Sequence, residues 1–172
     1  MKKIIIPILV LILLTGCTEK TKKKNKIEIN LLNEIQIESE EANLICYSNN
    51  NNNSDYETAS KFAIYYDDNE IITSIESYEI IASDNQDILN DFESYYNSNY
   101  EKIANYGGYT YDIHQEKKRL IANVIIDFNT FNIESYTADY PETLENFNDD
   151  YKLEKDKLLE VYSSKGIICE KK

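Results

Sequence analysis

The sequence predicts an α+β fold: an antiparallel sheet with helices packed on one face, a two-layer sandwich. Three patterns predict it. Apolar residues alternate in paired runs joined by polar turns, at 58–66 with 71–82 and at 109–113 with 120–128. Between the pairs, Ile88, Phe92, Tyr95, Tyr96, Tyr100 and Ile103 recur at three- and four-residue steps and mark one face of a helix. The full order read along the chain is β-β-β-α-β-β-α-β, short on the crossovers that a parallel sheet needs.

The chain opens on a targeting pattern. Lys2 and Lys3 precede an apolar run from Ile4 to Leu14, broken once by Pro7. Eleven residues at about 1.5 Å each span only about half of a ~30 Å hydrocarbon core. That is short for a membrane-spanning helix and right for a secretory signal. Leu14-Thr15-Gly16-Cys17 closes the run. These four residues resemble the lipobox of bacterial lipoprotein signals. The resemblance implies that Cys17 carries a diacylglyceryl thioether and becomes the first residue after cleavage. Two acyl chains meet the two-signal requirement for stable anchoring. The alternative is an ordinary signal with an incidental cysteine. The expected organisation is a signal peptide over 1–16, a lipidated Cys17 with a basic tether over 17–42, and one domain over 43–172.

Charge is divided sharply. The chain carries 18 basic and 31 acidic side chains, a net of −13. Residues 18–26 of the tether hold Lys20, Lys22, Lys23, Lys24 and Lys26 against Glu19 alone. Residues 27–172 therefore hold 11 basic and 30 acidic groups. A basic leash suits anionic headgroups at about 1 kcal/mol per Lys at most. The acidic body is repelled by that surface and excludes nucleic acid as its partner, because phosphate binding needs clustered positive charge. A cationic partner is permitted. Abundant Asn, Ile, Lys and Tyr with no Trp is the composition of a low-GC genome, so tyrosine and asparagine counts say little about function.

The elements follow in order. Ile27, Ile29 and Leu31 alternate like a strand, while Leu31, Leu32 and Ile35 suit a short helix equally. Leu44 to Tyr47 is a short strand, and the asparagine tract 48–54 is a loop. Asp67 to Glu70 turns the chain, since Asp and Asn bond their own backbone. Ser83 with Gln86 three residues on fits a capping box. Asp84 and Asp87 favour the helix dipole, and Gly107-Gly108 ends the helix. Tyr109, Tyr111 and Ile113 then alternate with Thr110, Asp112 and His114. After a turn at 116–118, Leu120, Ala122, Val124, Ile126 and Phe128 share one face. Ile121 and Ile125 on the other face leave room for a partial cover there. Pro141 suits the start of a short helix over 142–147. Asp149 or Asp150 is a candidate cap for a last helix to Ser164, with Tyr151, Leu158, Leu159 and Tyr162 as its apolar side. Gly166 stops it, and a short strand runs to Cys169.

With Cys17 assigned to lipid, Cys46 and Cys169 remain, in the first and last strands of the domain. Outside the cytoplasm a bridge between them can persist; two free buried thiols are the alternative. The lipobox, the Gly108 to Ile113 hairpin arm, the Val124 to Phe128 strand and the terminal helix–Lys165-Gly166–strand resemble the YehR-like small bacterial lipoproteins. The one-per-end cysteine pair also resembles that of related small Gram-positive lipoproteins. The resemblance covers about residues 43–172 and implies an α/β two-layer sandwich. It carries no established activity and no catalytic residues.

No reaction chemistry is legible. His114 is the single histidine; Asp112 would be its orienting carboxylate, but residues two apart on a strand rarely bond in that way, and a solvent-facing histidine is expected. Zinc needs more His or free Cys than this chain has. Asp67 to Glu70 lacks the spacing, glycine and distal Glu of a calcium loop. Gly107-Gly108 follows a helix rather than opening one, so it is no phosphate cradle. The tyrosines at 95, 96, 100, 106, 109 and 111 suit core packing better than a stacking surface. The expected function is a non-enzymatic binding or interaction module at the cell envelope. It would be held to the membrane through Cys17, without cofactor, and directed at an envelope protein or small ligand. The alternative is an envelope enzyme with a dispersed site around His114. Solute capture for a transporter is disfavoured, because such receptors need two lobes.

Overall fold

The computed structural model describes residues 31–35, 37, 41–50 and 55–171. They form one six-stranded antiparallel sheet with helices on one side. The strands are β1 (Leu44–Asn50), β2 (Glu57–Tyr66), β3 (Ile72–Ala82), β4 (Tyr109–Glu116), β5 (Arg119–Asp127) and β6 (Ile168–Lys171). The spatial order is β4-β5-β3-β2-β1-β6. The helices are α1 (Gln86–Ala104), α2 (Ile133–Asp139) and α3 (Lys155–Ser164), with 3-10 turns at Leu31–Glu34 and Pro141–Asn146. The α+β expectation holds, with helices packed against an open sheet.

Alternation sorts the sheet into two faces. Under the helices lie two apolar clusters. The first joins α1 and α2 to β4 and β5 through Leu89, Tyr96, Tyr100, Ile103, Leu120, Val124, Ile126 and Tyr136. The second joins α3 to β1, β2 and β3 through Leu44, Cys46, Phe62, Ile64, Ile75, Leu158 and Tyr162. Phe128 and Phe147 touch both.

The outer face has its own small cluster. Leu31 and Ile35 are buried there against Ala59, Ile80 and Ile121. The segment that suited strand and helix equally is thus a 3-10 strap where it is described, and Ile27 to Asn30 lie outside the described residues. Glu34 pairs with Arg119 at 2.5 Å, and Lys61 Nζ donates to the Ile35 carbonyl at 3.3 Å. The strap covers Ile121, while Ile125 on the same face is 45% exposed.

Several expected details change. Ser83 is not the cap of α1. Its hydroxyl is spent on the Asp55 carbonyl at 2.6 Å, and Asn85 caps instead, accepting from Asp87 N at 3.0 Å. Gln86 is then the first helical residue, not the third. The buried stripe of α1 is Leu89, Tyr96, Asn99, Tyr100 and Ile103, with Ile88, Phe92 and Tyr95 at its margin. The asparagine tract begins as strand: β1 runs to Asn50, paired with Thr58. Residues 51–54 lie outside the described residues. β5 ends at Asp127 because its carboxylate folds the next turn, accepting from Asn129 N and Thr130 Oγ1. Phe128 leaves the strand there.

The region after Phe128 holds an extra helix. Asn132 caps α2 by accepting from Ser135 N at 3.0 Å. α3 begins at Lys155, because Asn148 bends residues 148–152 into a turn, accepting from Asp150 N and Lys152 N. Tyr151 sits in that turn at φ 56°, exposed, and not on the α3 face. The Asp67 turn forms as expected, with Asp67 Oδ1 accepting from Asn69 N and Ile71 N at 2.9 Å each.

Candidate functional site

Most of the helix-side face of β2 and β3 is apolar, but its middle is not. Thr58 and Ser60 on β2 and Ser77 and Glu79 on β3 are all buried there. Ser60 stands directly opposite Glu79, and Ser48 of β1 opposite Ser60. On the other side Glu79 faces Ala122 of β5. The result is a short polar row crossing the sheet between the two apolar clusters.

α1 completes the site. Tyr96 Oη donates to Glu79 Oε2 at 2.8 Å, and the Ser60 hydroxyl bonds the same carboxyl. One turn on, Tyr100 stacks on Tyr96 with ring centroids 5.2 Å apart. Its buried hydroxyl has no hydrogen-bond partner among the described residues. Burial pushes the Glu79 carboxyl up to about 7, against the partial relief that Tyr96 and Ser60 provide. Burial also raises both tyrosines, and the field of Glu79 adds to it. The arrangement can hold a proton near neutrality.

This site was not foreseen from the sequence. Glu79 shares a face with Ile75 and Ile81 by simple alternation. That period was the available signal for a carboxylate pointing into the core.

The residues that were foreseen lie elsewhere. Cys17 is outside the described residues. Cys46 and Cys169 are joined by a disulfide between directly opposed positions of β1 and β6, with Cα atoms 4.0 Å apart. His114 is on the outer face of β4, half exposed, and on the opposite side of the sheet from Glu79. One expectation about it fails: His114 Nδ1 lies 2.9 Å from Asp112 Oδ2. Both side chains are free to lean along an open edge strand, which brings neighbours two apart within reach. The tyrosines at 96, 100 and 109 are buried, and those at 95, 106 and 111 pack against them. Among the described residues, no group of His, Cys, Asp and Glu is placed to hold a metal ion.

No protein-family profile matches the chain, and no curated protein matches it. A solved Streptococcus pneumoniae TIGR4 protein is similar in structure, with 11% identity and a TM-score of 0.44. The match covers 90% of this chain and 98% of that one. At that level neither an activity nor a residue role carries over.

Proposed function

We propose that the chain is a lipid-anchored envelope protein whose domain is a non-enzymatic binding module for an envelope protein or small ligand. The observation that supports this reading is the strap. The described fold starts at Leu31, 14 positions after Cys17, and Leu31 is fixed to the outer face of the sheet. Fully extended, such a leash reaches at most about 50 Å. A domain of this length has a radius of gyration near 14 Å. An acylated Cys17 would therefore keep the body within about two domain diameters of the bilayer. The lysines of the leash lie beside the anchor, and the acidic body stands off. The Cys46–Cys169 disulfide suits a place outside the cytoplasm. The likeness to YehR-like small lipoproteins belongs to the same proposal.

The test is metabolic labelling with a clickable fatty acid, followed by cross-linking from intact cells. Wild type is expected to incorporate label, partition with membranes and capture one reproducible partner. Cys17→Ala is expected to lose all three. A Cys17→Ala chain that stays as firmly bound to membranes overturns the anchor.

A second reading has one observation in its favour. The 2.9 Å contact of His114 with Asp112 is a base-and-carboxylate pairing on an exposed edge. An envelope enzyme centred there predicts that His114→Ala abolishes the cellular phenotype of the protein. The binding module predicts that it leaves that phenotype unchanged.

A further inference from the structure

We propose that Glu79 is a proton-operated latch, which holds α1 against the sheet when protonated and loosens it when ionised. The geometry carries this. Glu79 is 3% exposed on β3, next to the β4–β5 side of the sheet over which α1 packs. Its one side-chain bond to a helix is the 2.8 Å contact with Tyr96.

The groups around it explain why ionisation is resisted. From α1 it meets Tyr96 and Tyr100, with Tyr95 next to both. All three are neutral near pH 7 and raised further by burial. From β2 it meets Ser60, and from β5 Ala122; neither titrates. Among the described residues, no cation acts on it. Lys61, the one basic residue of β2, is on the outer face, bound to the strap. An ionised Glu79 keeps two hydroxyl donors but gains no counter-charge from the described residues. A buried unpaired carboxylate is costly. The least costly relief is to separate α1 from the sheet and admit solvent.

The sign follows from linkage. The folded carboxyl titrates at about 7 against 4.5 for the free group. Between those values the folded state holds the extra proton, so stability falls as pH rises. Below 4.5 the contribution is fully present, and above about 7 it is gone. From pH 5 to pH 8.5 the unfolding constant should grow on the order of 50- to 100-fold through this group alone.

The test uses the full chain in detergent and its Glu79→Gln variant, which keeps the shape and the acceptor for Tyr96 but cannot ionise. Amide exchange, corrected for intrinsic rates, is followed from pH 5.5 to 8.5. In wild type the amides of 92–103 should lose protection before those of β1 and β2, and the urea midpoint should fall. The variant should stay flat on both. Titration of the Glu79 side-chain carboxyl by carbon NMR in wild type gives the same answer without any substitution. A midpoint near 7 supports the latch. A midpoint below 5, or a variant whose exchange parallels wild type, overturns it.

Discussion

The two halves of the helix-side core are built on different principles. The half under α1 and α2 is aromatic, with two networks of ring contacts: Tyr56, Phe92, Tyr95, Tyr96, Tyr100, Tyr109 and Tyr111 form one, and Tyr106, Phe131, Tyr136 and Tyr140 the other. Its buried rings carry polar tips, and one of them ends on Glu79. The half under α3 is mostly aliphatic, and it is closed covalently by Cys46–Cys169. Tyrosine packing contributes area plus about 0.5–1.5 kcal/mol per ring pair, but every buried hydroxyl needs a partner. A disulfide makes no such demand and acts on the unfolded chain instead. One half is thus adjustable by protonation, and the other is fixed by connectivity.

The largest way to break the contrast is to open the staple. The bond closes a loop of 123 residues, for which the chain-entropy model gives up to about 5 kcal/mol. Reduction, or Cys46→Ala with Cys169→Ala, should lower stability by about 2–5 kcal/mol in urea titrations. Loss of protection should start at β6, an edge strand paired with β1.

Two glycines sharpen it next. Gly108, entering β4, has φ 60°, and a Cβ there would overlap the Asp127 carbonyl and stand 2.5 Å from Phe131 N. Gly166, entering β6, has φ 75° and open space around it. Gly108→Ala should cost about 3 kcal/mol or more, strain plus clash. Gly166→Ala should cost only the left-handed conformation, about 1–2 kcal/mol. Equal costs in thermal melts would mean that the close approach at Gly108 is not a constraint.

The smallest effects separate neighbours on α1. Tyr96→Phe removes a donor from a buried carboxyl and should cost about 1–3 kcal/mol. It should also push the Glu79 titration higher still, because the Tyr96 bond favours the ionised form. Tyr100→Phe deletes a buried hydroxyl that has no partner among the described residues, so stability should hold or rise by about 1 kcal/mol. Urea unfolding at pH 6 and 8 resolves both.

Periodicity made the sheet legible. Phe62, Ile64 and Tyr66, and Leu120 through Ile126, fix face and register by their alternation, because a one-residue slip would turn Asn123 inward. α1 was legible because its apolar stripe is long. Its start was not: Ser83, Asn85 and Gln86 all have cap chemistry, and the choice was made by Asp55, a distant residue that occupies the Ser83 hydroxyl. α2 was illegible because seven residues with three buried side chains carry too little period to recognise. The disulfide was legible as a placement, one cysteine near each end, but its opposed register is set by tertiary pairing. Glu79 is hard to place because β3 has apolar residues on both faces: Ile75 and Ile81 lie on the side of Glu79, but Ile80 lies on the side of Glu76. Only the assembled sheet assigns one to water and the other to Tyr96.

The opposition of first and last strands also sets an order in time. At ~5–20 residues per second, the 123 residues from Cys46 to Cys169 take roughly 6–25 s to appear. For that interval β1 can pair with β2 on one side, but its other edge has no β6 and its thiol has no mate. The one earlier thiol is that of Cys17, 29 positions upstream, and it is available at once. Acylation of Cys17, as proposed above, would retire that competitor as a thioether before Cys169 arrives. On that schedule the proposed lipid would do a second service: it would leave a single thiol waiting, and so make the only bridge that could form the correct one.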